Sequence, residues 1–235
     1  MKNLHSFIKQ ELQGWHCWEV LWLLTAISVI VALSIFWQDT LMGIISATTG
    51  VACVVCTGKG KLAAYIFGLI NSVLYAYIAF QAAYYGETML NALYYVPMQF
   101  VGFWVWAKNM NEQTGEVRKQ HMKNRQRLMW SGIIAAATIF YGFVLRSWGD
   151  AMPFVDSFTT VSSVAAMIVS VGMYAEQWWI WVAVNVFSII MWLKNFLAGN
   201  DHVATLLMWI VYLINAVIML VKWEKEALEV KKNAV

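Results

Sequence analysis

Apolar runs of about 20 residues follow one another along the chain, separated by short polar gaps. They predict eight membrane-crossing helices, at roughly 19–36, 40–57, 62–82, 88–107, 129–147, 154–174, 178–197 and 203–221. The runs are continuous. A membrane β-barrel would instead alternate apolar and polar positions over about 10 residues. Residues 1–17 are polar and predict a short surface helix ahead of the first span, not a cleavable signal, because the apolar run behind them is too long.

Polar positions inside these runs are patterned as well. In 177–196, QWWIWVAVNVFSIIMWLKNF, the residues Trp181, Asn185, Ser188, Trp192 and Asn195 recur at steps of four and three. A helix turns about 100° per residue, so all five share one stripe, with Lys194 beside it. The span at 88–107 carries Asn91, Tyr95 and Gln99 at steps of four, and Pro97 beside them predicts a kink or hinge. Asn71 over Asn185 sets Phe67 over Trp181 and Gln81 over Asn195, and Asp39 at the head of one span resembles Asp156 at the head of another. Spans 2–4 therefore look like spans 6–8. Three helices leave the chain on the opposite side, so a second copy in the same orientation needs one linking helix, 129–147. The expected fold class is an all-α integral membrane protein: an N-terminal helix plus a 3+1+3 core of parallel three-helix repeats. Its parts would be 1–37, 38–108, 109–150, 151–222 and 223–235. Repeats of this kind bind substrate between them, near the membrane midplane.

Composition supports the membrane assignment. The chain is 61% hydrophobic and only 12% charged, against about 25% charged for soluble domains. Lys and Arg concentrate in the N-terminal segment, the 58–61 turn, the 108–128 loop and the tail, which places both termini and that loop in the cytoplasm. This topology also accounts for the basic loop without nucleic acid. Cys53 and Cys56 sit C-x-x-C inside an apolar run and lack further metal ligands. The four histidines lie outside the apolar spans with no metal spacing. No metal, cofactor or enzyme constellation is expected.

Each buried polar group asks for a partner. Ser and Thr in spans 2 and 6 suit bonds to their own helix backbone. Asn71 and Asn215 suit either interhelical bonding or a site. Trp15, Trp18, Trp37, Trp148 and Trp223 suit an interfacial belt. Trp181 and Trp192 differ, because they share a stripe with two amides. No acidic residue sits at the centre of a span, which favours uncoupled transport over ion coupling. Lys194 either snorkels to the interface or meets a ligand oxygen.

The 3+1+3 order resembles the SWEET fold. The run Trp178-Trp179-Ile180-Trp181 leading into Asn185 and Trp192, with Asn71, Pro97 and Gln99 in the first half, resembles the bacterial PnuC family of nicotinamide riboside transporters, over about residues 38–222. The resemblance implies a homotrimer in the inner-membrane lipid that takes up nicotinamide riboside by facilitated diffusion, with cytosolic phosphorylation as the trap. It implies a nicotinamide ring near Trp181 and Trp192, its amide on Asn185 or Gln99, and ribose hydroxyls near Asn195, Lys194, Asn71 or Asn91. Two other readings stay open: a thiamine or sugar carrier on the same scaffold, and a membrane assembly protein whose polar groups only join helices.

Overall fold

The computed structural model describes residues 4–111, 114–199 and 203–232, with side chains from 7 to 229 within them. The gap between the expected spans 178–197 and 203–221 lies partly outside the described residues. Among those described, seven helices are long and apolar enough to cross a membrane. A short amphipathic helix, α1 (Leu4–Leu12), precedes them. The crossing helices are α2 (Cys17–Phe36), α3 (Leu41–Lys59), α4 (Ala63–Gln81), α7 (Asn124–Ser147), α8 (Pro153–Val171), α9 (Gln177–Leu197) and α10 (Val203–Lys232). The eighth crossing is composite: α5 (Tyr85–Met89), a π-helical stretch (Leu90–Tyr95) and α6 (Val96–Lys108). The expected fourth span is present, beginning three residues earlier, and the expected irregularity beside Pro97 is a π turn.

The cause of the break is local. Pro97 has no N–H to return to the preceding turn. The chain adapts one residue earlier, where the Val96 N–H reaches the Asn91 carbonyl five residues back. Elsewhere the helix ends are conventional. Thr40 caps α3 through a 3.0 Å bond from the Gly43 N–H to its hydroxyl. Gly60 ends α3 in the left-handed region, φ 77°. Pro153 opens α8 at the first turn, where its missing donor costs nothing.

Helices α3, α4 and α5–α6 form the first half of the core, and α8, α9 and α10 the second. Within each half neighbours pack in sequence, α3 on α4 and α8 on α9. Between the halves α10 packs on α3, and α5 and α6 pack on α8. The third helix of each half thus lies against the first helix of the other, as a parallel repeat about one axis requires. The linker α7 is only 11% buried over its apolar window, whereas α8 is 61% buried. Its outward side chains, Leu128, Phe140 and Phe143, are exposed as a lipid-facing surface demands. The N-terminal helix α2 packs on α3 and α10.

Two ends can be distinguished. The basic end carries α1, residues 108–111 and 114–123 and the last turns of α10. The far end carries the α2–α3, α4–α5 and α7–α8 turns and the facing ends of α9 and α10.

Candidate functional site

A cavity of about 110 Å³ lies between the halves. Cys53 from α3, Asn71 and Tyr65 from α4, and Tyr95 and Gln99 from the broken crossing line one wall. Trp178, Trp181 and Asn185 from α9, Ser170 from α8, and Trp209 and Tyr212 from α10 line the other. Three indoles, three phenols and three amides face one space, and no Lys, Arg, His, Asp or Glu does among the described residues.

Glycines make room for this wall. A Cβ on Gly68 would lie 2.6 Å from the Gln99 amide oxygen, so Gln99 is seated directly on the α4 backbone. A Cβ on Gly50 would collide with the Tyr212 hydroxyl, which crosses from the other half, and would lie 2.7 Å from the Asn71 nitrogen. Asn71 is oriented by donating to the Ser46 carbonyl at 2.8 Å, joining α4 to α3. It is therefore both an interhelical bond and part of the cavity wall.

Of the expected site residues, Trp181, Asn185, Asn71, Gln99 and Tyr95 line the cavity. The others lie elsewhere. The α9 stripe divides along its length: the 21-residue helix is about 30 Å long, and only its first half, at Trp178, Trp181 and Asn185, meets the cavity. Beyond Asn185 it runs on toward the far end. Ser188 is buried off the cavity. Trp192 is fully buried and donates its indole N–H to the Tyr75 hydroxyl at 2.8 Å. Asn195 bonds the Tyr84 hydroxyl. Lys194 is exposed on another side of the helix, away from the cavity. Asn91 returns its amide to the Glu87 carbonyl, 2.9 Å, steadying the π turn. Phe67 is half-buried outside the wall.

The site also contains residues that the sequence did not single out for it: Trp178, Tyr65, Trp209, Tyr212 and Ser170. Trp178 had a signal. The stripe extended one step of three toward the N-terminus lands on it. Its indole nitrogen is buried with no protein partner, which leaves a donor available in the cavity wall. Tyr212 and Trp209 come from another helix, and no spacing within α9 could reveal them.

One further expectation is corrected. Trp223 is not in an interfacial belt: it is fully buried and donates to the Gly58 carbonyl at 2.8 Å. Carboxylates are also buried within the membrane-spanning helices. Glu87 and Asp156 are 2% and 0% exposed, with Asp150 beside them at 8%. Glu87 and Asp156 fall in the first turns of α5 and α8 and Asp150 in the turn before α8, all at the far end and none at the centre of a crossing. Asp156 accepts from Gly86 at 2.8 Å and Asp150 from Tyr85 at 3.2 Å.

The basic end is closed by charge. Lys59 pairs with Glu19 at 2.8 Å and Glu116 at 3.1 Å, Lys119 with Glu116 at 2.9 Å and with Glu226, and Lys222 with Glu19 at 2.9 Å. Burial alone would raise the Glu116 carboxyl, but the charges and hydrogen bonds of Lys119 and Lys59 hold it below its ordinary value. Residues 114–122 cross this end as a strap. The Val117 N–H donates to Gly60 at 3.3 Å, in the first half's α3–α4 turn. The Gln120 N–H donates to Met173 at 3.0 Å and the Ala175 N–H to Gln120 at 2.9 Å, in the second half's equivalent α8–α9 turn. The strap's far side is held by Glu176, which accepts from the Met122 N–H at 3.0 Å and pairs with Arg127. Burial opposes ionisation of Glu176, yet these partners, with His121, hold its carboxyl below the ordinary value too.

With this geometry in hand, comparison with known proteins is decisive. The sequence profile of a family described as nicotinamide mononucleotide transporter matches residues 40–225. The chain is 38% identical over 226 residues to the nicotinamide riboside transporter PnuC of Neisseria mucosa, covering 92% of this chain and 85% of that one. The chain belongs to the PnuC family. It is also 30% identical to PnuC of Haemophilus influenzae, over 95% of this chain and 97% of the relative. A crystal structure of the vitamin B3 transporter PnuC superposes with a TM-score of 0.84 at 37% identity, covering 95% of this chain and 98% of that one. PnuC proteins are multi-pass membrane transporters, not enzymes, and this chain has their fold.

Proposed function

We propose that this chain carries nicotinamide riboside across the bacterial inner membrane, with the basic end cytoplasmic. The observation that carries this reading is the cavity wall: indoles and phenols interleaved with amides, and no charged side chain. The nicotinamide ring of the riboside is a pyridinium. Such a ring stacks on indole faces with about 2 kcal/mol when desolvated. Trp181 and Trp178 supply the faces, and Asn185 and Gln99 bond the carboxamide. Asn71 and Tyr212, seated together over Gly50, bond the ribose hydroxyls.

The family profile is described by the mononucleotide and the relatives by the riboside. The cavity favours the riboside. A 5′-phosphate carries about two negative charges and asks for Arg, Lys or a cluster of free N–H groups. With none in the wall, burying it is strongly unfavourable. Transport proceeds by facilitated diffusion as the two halves rock about the cavity. Phosphorylation in the cytoplasm would then give a species the cavity rejects, which keeps the flux inward. A homotrimer embedded in lipid through α7 and the exposed apolar faces is the expected assembly.

Equilibrium binding to the purified protein tests the reading. Nicotinamide riboside should bind, and its 5′-phosphate should fail to compete. A thermal shift with thiamine and none with the riboside would assign the cavity to another vitamin. Trp181→Ala combined with Asn185→Ala removes a ring face and an amide bond, together about 3 kcal/mol, and should weaken binding roughly 100-fold. Uptake into proteoliposomes should proceed without an imposed proton or sodium gradient.

A further inference from the structure

Four side chains outside the cavity make the same contact twice under the internal repeat. Asp39, immediately before α3, accepts the main-chain N–H of Ala204, which opens α10 in the other half, at 2.6 Å. Asp156, in the first turn of α8, accepts the N–H of Gly86, which opens α5 in the other half, at 2.8 Å. The approach is close: a Cβ on Gly86 would lie 2.7 Å from the Asp156 carboxylate. Both bonds lie at the far end.

The basic end repeats the plan with different chemistry. Trp106, near the end of α6, donates its indole N–H to the Ser170 carbonyl at the end of α8, 3.3 Å. Trp223, on α10, donates its own to the Gly58 carbonyl at the end of α3, 2.8 Å. Both indoles are fully buried. In all four contacts the third helix of one half meets the first helix of the other. Each pair of helices is therefore fastened at both ends, with the cavity between the fastenings. At the far end Tyr75 adds a seal, accepting N–H bonds from Trp192 at 2.8 Å and from Trp209 at 3.1 Å, and Trp209 is itself part of the cavity wall.

We propose that Asp39 with Asp156, and Trp106 with Trp223, are the two gates of the carrier. Each gate is a twofold-related pair of latches, and transport opens one pair while the other stays shut. This rests on the carrier reading above, but not on the identity of its substrate. The repeat accounts for the duplication, and what marks these contacts as gates is their place: all four cross between the two halves, one pair on each side of a ligand-sized cavity.

Two measurements test it, both in protein whose Cys17, Cys53 and Cys56 are replaced by alanine. First, Asp39→Cys with Ala204→Cys ties the far latch shut on oxidation. Uptake into proteoliposomes should fall at least roughly tenfold and return on reduction, while nicotinamide riboside still binds the oxidised protein in detergent. Unimpaired uptake by verified cross-linked protein overturns the gate assignment. Absence of binding before and after reduction counts against the substrate instead. Second, Ser72 of α4 also lines the cavity, and Ser72→Cys places a thiol there for a membrane-impermeant reagent, with no ligand involved. Asp39→Ala with Asp156→Ala should speed labelling from the far side about tenfold and leave the basic side unchanged, and Trp106→Phe with Trp223→Phe should do the reverse. Equal acceleration from both sides, as general loosening would give, or none from either, overturns the proposal.

Discussion

The two ends of the cavity are closed by opposite kinds of chemistry. At the far end the contacts are aromatic rings and main-chain N–H groups. Trp192 and Trp209 converge on one phenol, with ring centroids 5.8 and 6.0 Å from that of Tyr75. Among the described residues no Lys or Arg takes part. At the basic end the closure is a ladder of alternating charges, Lys222–Glu19–Lys59–Glu116–Lys119–Glu226, with a strap laid over it. The repeat places equivalent latches at both ends, so the difference comes from what was added outside it. The N-terminal helix brings Glu19, the 108–123 segment brings Glu116 and Lys119, and the extended α10 brings Lys222 and Glu226. The comparison teaches that a symmetric core can carry gates of unequal sensitivity. The far closure, which holds no ion pair among the described residues, should be the less sensitive to salt, and the basic closure the more sensitive.

The largest effect should come from Glu19. It is 1% exposed and holds Lys59 and Lys222 together. Glu19→Gln leaves two lysines short of a counter-charge, at a cost of about 3 kcal/mol, and should markedly lower the thermal midpoint in detergent. An unchanged midpoint would mean that the ladder closes the mouth without contributing to stability. Next is Tyr75→Phe, which strips the shared acceptor from two buried indoles and should cost about 2 kcal/mol. If the two ends differ as described, this loss will be the same in low and high salt, whereas the Glu19→Gln loss will shrink as salt rises.

The pH dependence is smaller and has a definite sign. Glu116 and Glu176 both have carboxyls lowered by strap contacts. A lowered carboxyl stabilises the docked strap fully above the free carboxylate value of about 4.3, and the contribution is lost as pH falls through the lowered value. Pepsin cleavage within 114–122 should therefore be slow at pH 5 and rise below about pH 4. Rapid cleavage at pH 5 would contradict the strap's docking through these acids. The smallest effect is ionic. Trypsin cleavage at exposed Arg118 should increase about twofold between 0.05 and 0.5 M salt, with no change in protection at the far end.

Much of this was legible along the chain. The crossings at 19–36, 40–57, 62–82 and 178–197 needed only hydropathy, because lipid permits no other exposed backbone than a helix. The repeat was visible because Asp39 and Asp156 each accept a main-chain N–H from the opposite half, and Asn71 and Asn185 each line the cavity. The α9 stripe correctly marked a face turned inward. It could not mark where along that face the cavity ends. Trp181 and Trp192 are indistinguishable by spacing and residue type, yet one lines the cavity and the other seals its roof.

What the sequence by itself determined is therefore the set of helices, their orientation in pairs and the inward faces, all of which follow from local periodicity and from the exclusion of polar groups by lipid. Tertiary structure alone decided depth and partnership. Tyr75 lies 117 positions from Trp192 and 134 from Trp209, and Asp39 lies 165 from Ala204. Such bonds carry no periodic signature, because they are set by how two halves meet and not by how either one folds.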